Sequence, residues 1–373
     1  MKHSLDKSRR VPFYRQCAEA LRRSIEDGTY KIDEFLPPER QLSEQLGVNR
    51  LTLRKGLLEL VRDGLIENIP GSGNRVVMSR IRAQKTRTLG CLMPRFETSI
   101  ALNPYYGEIL DGIEEEAASD GYDLIFASVK AEDLWAADGQ ERKNPPTLKK
   151  AVDGLLLVGG LSNELAFTYE KKGMTLVLVD KEIDGHDISS VMPDNKAGME
   201  AAAQYLIRLG HRRIAFLSAP PDPVEEKRRA GLLKALGDAG LQLEPRDVIE
   251  GGYQVEPARA AMGAYLEAHG RNLPTALVAI NDEAAIGAMK TLQQKGISVP
   301  QDISVIGFDN ISLAEHSTPP LTTVNIPRKE MGRRAAQWLI GQLRKPRNPS
   351  RRLVVKTDLV IRESCAAPRA DAY

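Results

Sequence analysis

"VNRLTLRKGL", residues 48–57, sets Arg50, Arg54 and Lys55 among leucines. Leu53 and Leu57, continued by Leu60 and Val61, recur at helical spacing, so the stretch reads as an amphipathic helix with these residues inward. Asn49 can cap it and Gly64 stop it. Residues 50, 51 and 54 then point away from the core, and Arg50 and Arg54, four apart, rise from one face. A helix of this length fits the B-DNA major groove, where the planar fork of arginine pairs with guanine O6 and N7 or with a phosphate. Two arginines at this spacing are, by themselves, ordinarily a solvated face, so the flanking sequence decides.

Upstream, "LPPERQLSEQLG" (36–47) starts a helix at Pro37 or Pro38, gives it an apolar face through Leu42 and Leu46, and ends it at Gly47. Further back, Tyr14, Cys17, Leu21 and Ile25 form one face of a first helix that stops at Gly28. Downstream, "LIENIPGSGNRVVM" (65–78) alternates around a Pro-Gly-Ser-Gly turn, the pattern of a hairpin. Helix, turn, helix and hairpin make a winged helix-turn-helix. Thr52, near the start of the recognition helix, can reach a phosphate by its hydroxyl or its backbone N–H. Arg40, near the start of the preceding helix, is placed to straddle the backbone.

Residues 36–76 resemble the DNA-binding domain of the GntR family without a gap: Pro-x-x-Arg-x-Leu, then Leu-Gly-Val-x-Arg-x-Thr-x-Arg, then Gly-x-Gly. The resemblance implies DNA contacts by Arg40, Arg50, Thr52 and Arg54, with Gly71 and Gly73 at a wing tip near the minor groove. Leu51 occupies a variable position, open to a thymine methyl. Pro70 stands where the family often has a basic residue, which shifts wing contacts onto Asn74 and Arg75.

The rest of the chain must hold something else. At 373 residues it is long enough for two or three domains. Hydrophobic content of 42% with 27% charged residues is globular, and the net charge of +2 implies no partner. Yet the segment up to Arg87 carries seven more basic than acidic residues, which leaves the remainder net acidic by five. That asymmetry suits a small basic module on a neutral effector body. Cys17, Cys91 and Cys365 lie far apart, with no disulfide framework and no zinc spacing. The start lacks an apolar signal core, and no apolar run reaches membrane-spanning length. A cytoplasmic protein that engages no membrane is the expectation. Residues 78–88, "MSRIRAQKTRT", read as a linker between a DNA-binding domain (1–77) and an effector domain (89–373).

From Leu89, apolar runs such as "LGCLM", "DGLLLVG", "TLVLVD", "RIAFLS", "ALVAIN" and "ISVIGFD" alternate with amphipathic segments. This is βαβ patterning, long enough for two parallel sheets with separate cores. Ligands in such folds lie beyond the carboxyl ends of the strands. The polar groups there are "NPYY" (103–106), Asp180 and Lys181, Asp194 and Asn195, Arg228, Asp282 and Asp309. Carboxylates accept from polyol hydroxyls, arginine and asparagine donate to them, and a tyrosine can stack on a sugar face. The plainer reading is that Asp194, Asp282 or Asp309 caps the next helix, that Tyr105 is hinge packing and that Arg228 is a surface charge. The tail "RRLVVKTDLVIRES" reads as a final strand pair.

This region resembles the effector domain of the LacI/GalR regulators, similar to type I periplasmic sugar-binding proteins. The resemblance is carried by "NPYYGEILDGIEEEA", "DNKAGMEAAAQYLIRLGHRRIAFLS", "NDEAAIGAMKTLQQKGISVPQDISVIGFDN" and "PPLTTVNIP". It implies a two-lobed α/β periplasmic-binding-protein-like domain with ligand contacts from Tyr105, Tyr106, Asp180, Arg228, Tyr253 and Asp282. Lobe crossings are expected near 191–193, 308–310 and 325–327. Lobe 1 is then about 89–191 with 309–325, and lobe 2 about 192–308 with 326–373. "APPDPVEEKRRAG" (218–231 without its first serine) is proline-rich where many relatives have a glycine-serine loop.

The combination looks like the arabinose-repressor type of GntR regulator. It implies a homodimer on a pseudo-palindromic operator, with a repressor of carbohydrate-utilisation genes released by a small sugar-like effector. No cofactor and no metal site is expected, and there is no Walker A loop, GxSxG or HExxH. Two alternatives stay open: an aminotransferase-like fusion enzyme, for which no strand-end lysine fits, and a regulator that senses a nucleoside.

Overall fold

The computed structural model describes residues 11–77 except Ile32, 86–95, 103, 105–129, 152–270, 272–344 and 350–369. The candidate linker, apart from its last three residues, lies outside them. Two compact units are present.

The N-terminal unit contains helices α1 (Phe13–Glu26), α2 (Glu39–Leu46) and α3 (Arg50–Arg62), then the antiparallel strands β1 (Ile66–Ile69) and β2 (Gly73–Val76). Leu21, Ile25, Leu42, Leu53, Leu57 and Leu60 meet Leu36 and Val76 in one core. α3 lies close on α1 because position 56 is glycine: a Cβ there would be 2.8 Å from the Tyr14 carbonyl. Gly47 closes α2 in the left-handed region at φ 65, where a Cβ would be strained. Asn49 caps α3 by accepting the Thr52 N–H at 2.8 Å. The cap is as the sequence suggests, but it uses the backbone donor that the sequence offered to a phosphate. One feature had no periodic signal. Residues 33–36 run along β2, with Leu36 N–H on the Asn74 carbonyl and Val76 N–H on that of Glu34, both at 2.8 Å.

The second part of the chain begins with β3 (Thr88–Pro94), α4 (Tyr106–Ser119), β4 (Asp123–Val129), β5 (Gly154–Val158), α5 (Asn163–Lys171), β6 (Thr175–Val179) and β7 (Ser189–Pro193). Next come α6 (Asn195–Arg208), β8 (Ile214–Ser218), α7 (Pro223–Asp238), β9 (Val248–Glu250), α8 (Val255–His269), β10 (Ala276–Ala279), α9 (Asp282–Gln294), β11 (Ser304–Asp309), α10 (Ser312–Glu315) and β12 (Thr322–Asn325). The chain ends with α11 (Arg328–Arg344), β13 (Arg352–Val355) and β14 (Asp358–Val360). Two six-stranded sheets result, ordered β13-β7-β6-β5-β3-β4 in lobe 1 and β14-β12-β11-β10-β8-β9 in lobe 2. The central strands β5, β6, β8 and β10 are buried along their whole length, as helices on both faces require.

This order corrects the expected crossings. The chain leaves lobe 1 at 193–195, but it does not cross at 308–310. After β11 it returns through α10 to β12, which pairs parallel with β11 in the same sheet. It crosses at 325–328 and again at 355–358. Residues 309–325 therefore belong to lobe 2, and 328–355 to lobe 1. The tail strands do not pair with each other: β13 joins β7 in one lobe and β14 joins β12 in the other. β12 was hidden because its buried side chains include Thr322 and Thr323, which do not read as an apolar run.

Helices α4 and α11 touch backbone to backbone. A Cβ on Gly112 would run into the Lys329 carbonyl, and one on Gly332 into the Ile109 carbonyl. Gly332→Ala should cost about 1–3 kcal/mol by overpacking. Gly341→Ala, in the same helix with nothing within 4 Å, should instead stabilise by about 0.5–1 kcal/mol. Urea titration of the two variants beside the parent checks both signs.

Candidate functional site

On α3 the outward residues are as the spacing suggests. Arg50, Arg54 and Lys55 are exposed, and Leu51 between them is 73% exposed. The arginines differ in their freedom. Arg54 Nε donates to Glu39 Oε2 at 2.8 Å, and Arg40 Nε to Glu44 Oε1 at 3.2 Å. Arg50 has no ion pair among the described residues. Thr52 keeps only its hydroxyl for a phosphate, since its N–H is spent on the cap.

The wing differs from the expectation. Asn74 turns inward, is buried, and accepts from Asn68 Nδ2 at 3.2 Å. Arg75 is half-buried and bound across the hairpin to Glu67, its Nε 2.8 Å from Oε1. Neither is a free probe of a groove. The tip itself is open: Gly71 at φ 81 and Gly73 at φ 107 need glycine, and a Cβ on either would meet nothing.

In the effector domain one constellation draws on both lobes. Arg228, on the second turn of α7, is 3% exposed. Asp222 caps that helix by accepting the N–H groups of Val224 and Glu225 at 2.8 Å. The Arg228 guanidinium donates from Nε to Asn195 Oδ1 at 2.9 Å and from Nη1 to the Ile280 carbonyl at 2.5 Å. Its Nη2 reaches Asp309 Oδ1 at 3.0 Å. Its flat face lies 3.8 Å from the centroid of the Phe308 ring. A buried guanidinium is tolerable only with such a set of acceptors.

Around it stand Tyr105, Tyr106 and Asp180 from lobe 1, each close enough to feel the charges of Arg228 and Asp309. The tyrosine rings meet edge to face at 5.0 Å between centroids. Tyr106 lies over Gly159, where a Cβ would be 2.6 Å from its hydroxyl. Burial pushes both phenols above their usual range, and the Asp180 and Asp309 charges add to this. Asp180 is pushed up to about 7, chiefly by burial, against the opposing pull of Arg228 and of the Tyr105 hydroxyl. From lobe 2, Tyr253 donates its hydroxyl to Asp222 Oδ2 at 2.7 Å.

Two polar groups in this constellation lack a well-formed protein partner. Tyr105 Oη and Asn195 Nδ2 are buried and unsatisfied, and the Asp180 carboxylate has the Tyr105 hydroxyl beside it. Most buried polar atoms in folded proteins are paired. Their convergence here is a demand for an outside molecule.

Asp282 is the exception among the expected contacts. It is fully buried, its Oδ1 accepts the Thr323 hydroxyl, and its Oδ2 accepts the Ile311 N–H at 2.8 Å. It ties α9 to β12 and the loop after β11, and neither oxygen is offered to a ligand. The carboxylate beside Arg228 is Asp309. Asp194, by contrast, is simply the N-cap of α6, accepting from Ala197 at 3.0 Å. Lys181 turns to the Leu161 carbonyl. Sequence reading missed Asn195 as a partner of Arg228, and missed Asp222, although "DPVE" carries a helix-start signal. Among the described residues no cluster of His, Cys, Asp or Glu could hold a metal ion, and no helix is long and apolar enough to cross a membrane.

Residues 13–76 match the bacterial regulatory proteins of the gntR family, and residues 203–365 match the periplasmic binding protein-like domain. The chain is 30% identical over 291 residues to the HTH-type transcriptional repressor PurR of Aliivibrio fischeri (strain MJ11), covering 77% of this chain and 84% of that one. It is 29% identical over 289 residues to the ribose operon repressor of Haemophilus influenzae, with the same coverage. Among solved structures, the transcriptional regulator CelR–cellobiose complex superposes with a TM-score of 0.68 at 25% identity, over 88% of this chain and all of that one. A LacI family transcriptional regulator from Enterococcus faecium with bound ribose superposes at 0.64 and 25% identity, over 76% and 100%. These relatives are regulators rather than enzymes. The chain belongs with the LacI-family transcriptional repressors in its effector domain and with the GntR family in its DNA-binding domain, and is an effector-responsive, DNA-binding transcriptional regulator.

Proposed function

We propose that this repressor reads a pseudo-palindromic operator as a homodimer and is released by an uncharged, hydroxyl-rich small molecule, a sugar. Arg50, Leu51 and Arg54 meet base edges, Thr52 and Arg40 meet phosphates, and the Gly71–Gly73 tip approaches the minor groove. Two copies are needed because one recognition helix reads only one half-site. Modules 1–77 and 89–373, joined by 78–88, divide the labour of reading and sensing.

The observation that carries the effector reading is the pair of unmet polar groups, Tyr105 Oη and Asn195 Nδ2, beside the Asp180 carboxylate and around the buried Arg228–Asp309 pair. A polyol, whose hydroxyls both donate and accept, satisfies such a mixed set. Charge narrows the class. Arg228 is already matched by Asp309 and Arg328 by Glu108, while Asp222 and a partly ionised Asp180 add negative charge, so a uronate or a sugar phosphate finds no spare cation among these residues. The cellobiose and ribose held by two structural relatives belong to the uncharged class. Binding acts on DNA only as far as the sugar favours one arrangement of the lobes.

A thermal-shift panel of pentoses, hexoses, disaccharides, uronates, sugar phosphates and nucleosides on the full chain tests this. An uncharged sugar should raise the melting temperature and weaken binding to DNA selected from a random pool. A sugar that binds tightly and leaves DNA affinity unchanged would sink the proposal. Asp309→Asn should remove the sugar-dependent shift, whereas Asp282→Asn should lower the melting temperature and leave the shift.

Arg50→Ala should cost roughly 1–3 kcal/mol on the selected site with less loss on scrambled DNA, read by gel shift at fixed salt. Uniform loss on both would make Arg50 a phosphate contact.

Asp180 also predicts a pH dependence. Its folded-state value of about 7 lies above the usual carboxylate range. The folded protein therefore holds a proton that the unfolded chain has released, and stability falls as pH rises from about 4 to about 7. Asp180→Asn should flatten that slope and raise the melting temperature more at pH 8 than at pH 4.

A further inference from the structure

The carboxylate that faces Arg228 belongs to a residue with an unusual backbone. Asp309 has φ 111 and Asn310 φ 56, two successive non-glycine residues in the left-handed half of conformational space. Such residues cost about 1–3 kcal/mol each and persist only where their surroundings hold them. Within lobe 2 the Asn310 side chain is held by Arg362 Nη2 at 2.8 Å and by Asn325 Oδ1 at 3.1 Å, while the strongest hold on the two backbone carbonyls comes from the other lobe. Arg328 is the first residue of α11, the helix that lies backbone to backbone on α4. Its guanidinium is 2% exposed. Nη1 donates to the Asp309 carbonyl, and Nη2 donates to the Asn310 carbonyl at 3.0 Å. The same Nη2 reaches Glu108 Oε1 at 2.6 Å, in the first turn of α4, and the guanidinium carbon stands 5.7 Å from the centroid of the Tyr105 ring. Arg328 Nε is buried without a partner, so the two carbonyls and Glu108, not its own donor inventory, fix where the group lies.

Two arginines, one from each lobe, thus clasp opposite ends of Asp309: Arg228 its carboxylate, Arg328 its carbonyl. We propose that Arg328 is the positioning residue of the effector site, holding the Asp309–Asn310 turn of lobe 2 from lobe 1 so that the Asp309 carboxylate meets Arg228 and the effector. This rests on the reading of the cleft as the effector site. The hydrogen bonds from a cation to the two carbonyls are of the strong, charge-assisted kind. Without them the turn relaxes from its left-handed conformation, and the side chain of Asp309 swings with it. Glu108 is the exposed member, its side chain 48% accessible. Its role is to aim Arg328 from within lobe 1.

The test is amide hydrogen exchange on the full, ligand-free chain, comparing Arg328→Met, Arg328→Lys and Glu108→Gln with the parent. Arg328→Met should speed exchange at least tenfold in a peptide covering 307–314, with no change in 255–269, which lies in the same lobe away from the turn. Arg328→Lys, whose ammonium can still donate to both carbonyls, should restore most of the protection. Glu108→Gln, a lobe 1 substitution, should speed exchange a few-fold in 307–314 and again spare 255–269. If Arg328→Met does not fold, Glu108→Gln decides. An unmoved 307–314 peptide in Arg328→Met, or in Glu108→Gln where Arg328→Met does not fold, or equal acceleration in 307–314 and 255–269, would overturn the proposal. Because no ligand is added, this outcome is independent of the sugar panel. Failure of every sugar to bind the parent counts against the cleft reading, while the exchange data still judge the hold on the turn.

Discussion

The effector domain is organised by one buried cation. Removing a guanidinium from water costs several kcal/mol unless acceptors surround it, and the acceptors of Arg228 come from distant places in the chain. Asn195 follows the first lobe crossing, the Ile280 carbonyl follows β10, and Asp309 ends β11. Strand lengths, the cap at Asp222 and the Phe308 ring beneath the guanidinium all have to agree before that charge can be sealed. Once it is sealed, the neighbouring polar groups cannot all be satisfied by protein, and the same convergence that stabilises Arg228 leaves Tyr105 and Asn195 in want of partners.

The DNA-binding module follows another economy. Its exposed and half-buried arginines are mostly tethered to carboxylates on its own surface: Arg40 to Glu44, Arg54 to Glu39, Arg75 to Glu67. Exposed pairs of this kind are weak, about 0–1 kcal/mol, so DNA can compete for the arginines. Meanwhile they limit the number of conformations a long side chain samples. Arg50 alone among these four has no ion pair with a described residue, and it stands next to the exposed Leu51. The face therefore combines one unpaired fork, one paired fork and one apolar contact.

Much of this was legible in the sequence because periodicity reports burial. The three N-terminal helices, the Asn49 cap and most of the central parallel strands announce themselves through leucines and valines at helical or strand spacing. The failures have physical reasons. Asp282 and Asp309 both end an apolar run and look alike in one dimension. What separates them is that Asn281 caps α9, which turns Asp282 back into lobe 2, while Asp309 adopts a positive φ that no composition reveals. β12 escaped because three of its four residues are threonines and an asparagine, and with it went the correct crossing points. The Arg40–Glu44 pair could be read from its spacing of four. The Arg54–Glu39 pair, fifteen residues apart, could not, and neither could the inward turn of Asn74, since a hairpin pattern does not say which face meets the helices.

The three crossings at 193–195, 325–328 and 355–358 carry a mechanical consequence. One or two flexible tethers would let the lobes twist and slide as well as close. Three short tethers, each only a few residues long, remove most of those freedoms. Hinges of this kind absorb motion at element ends rather than along elements. With α4 and α11 in backbone contact at their glycines, any movement of one of these helices carries the other with it. The connectivity of the chain thus limits which relative movements of the lobes a bound molecule can select.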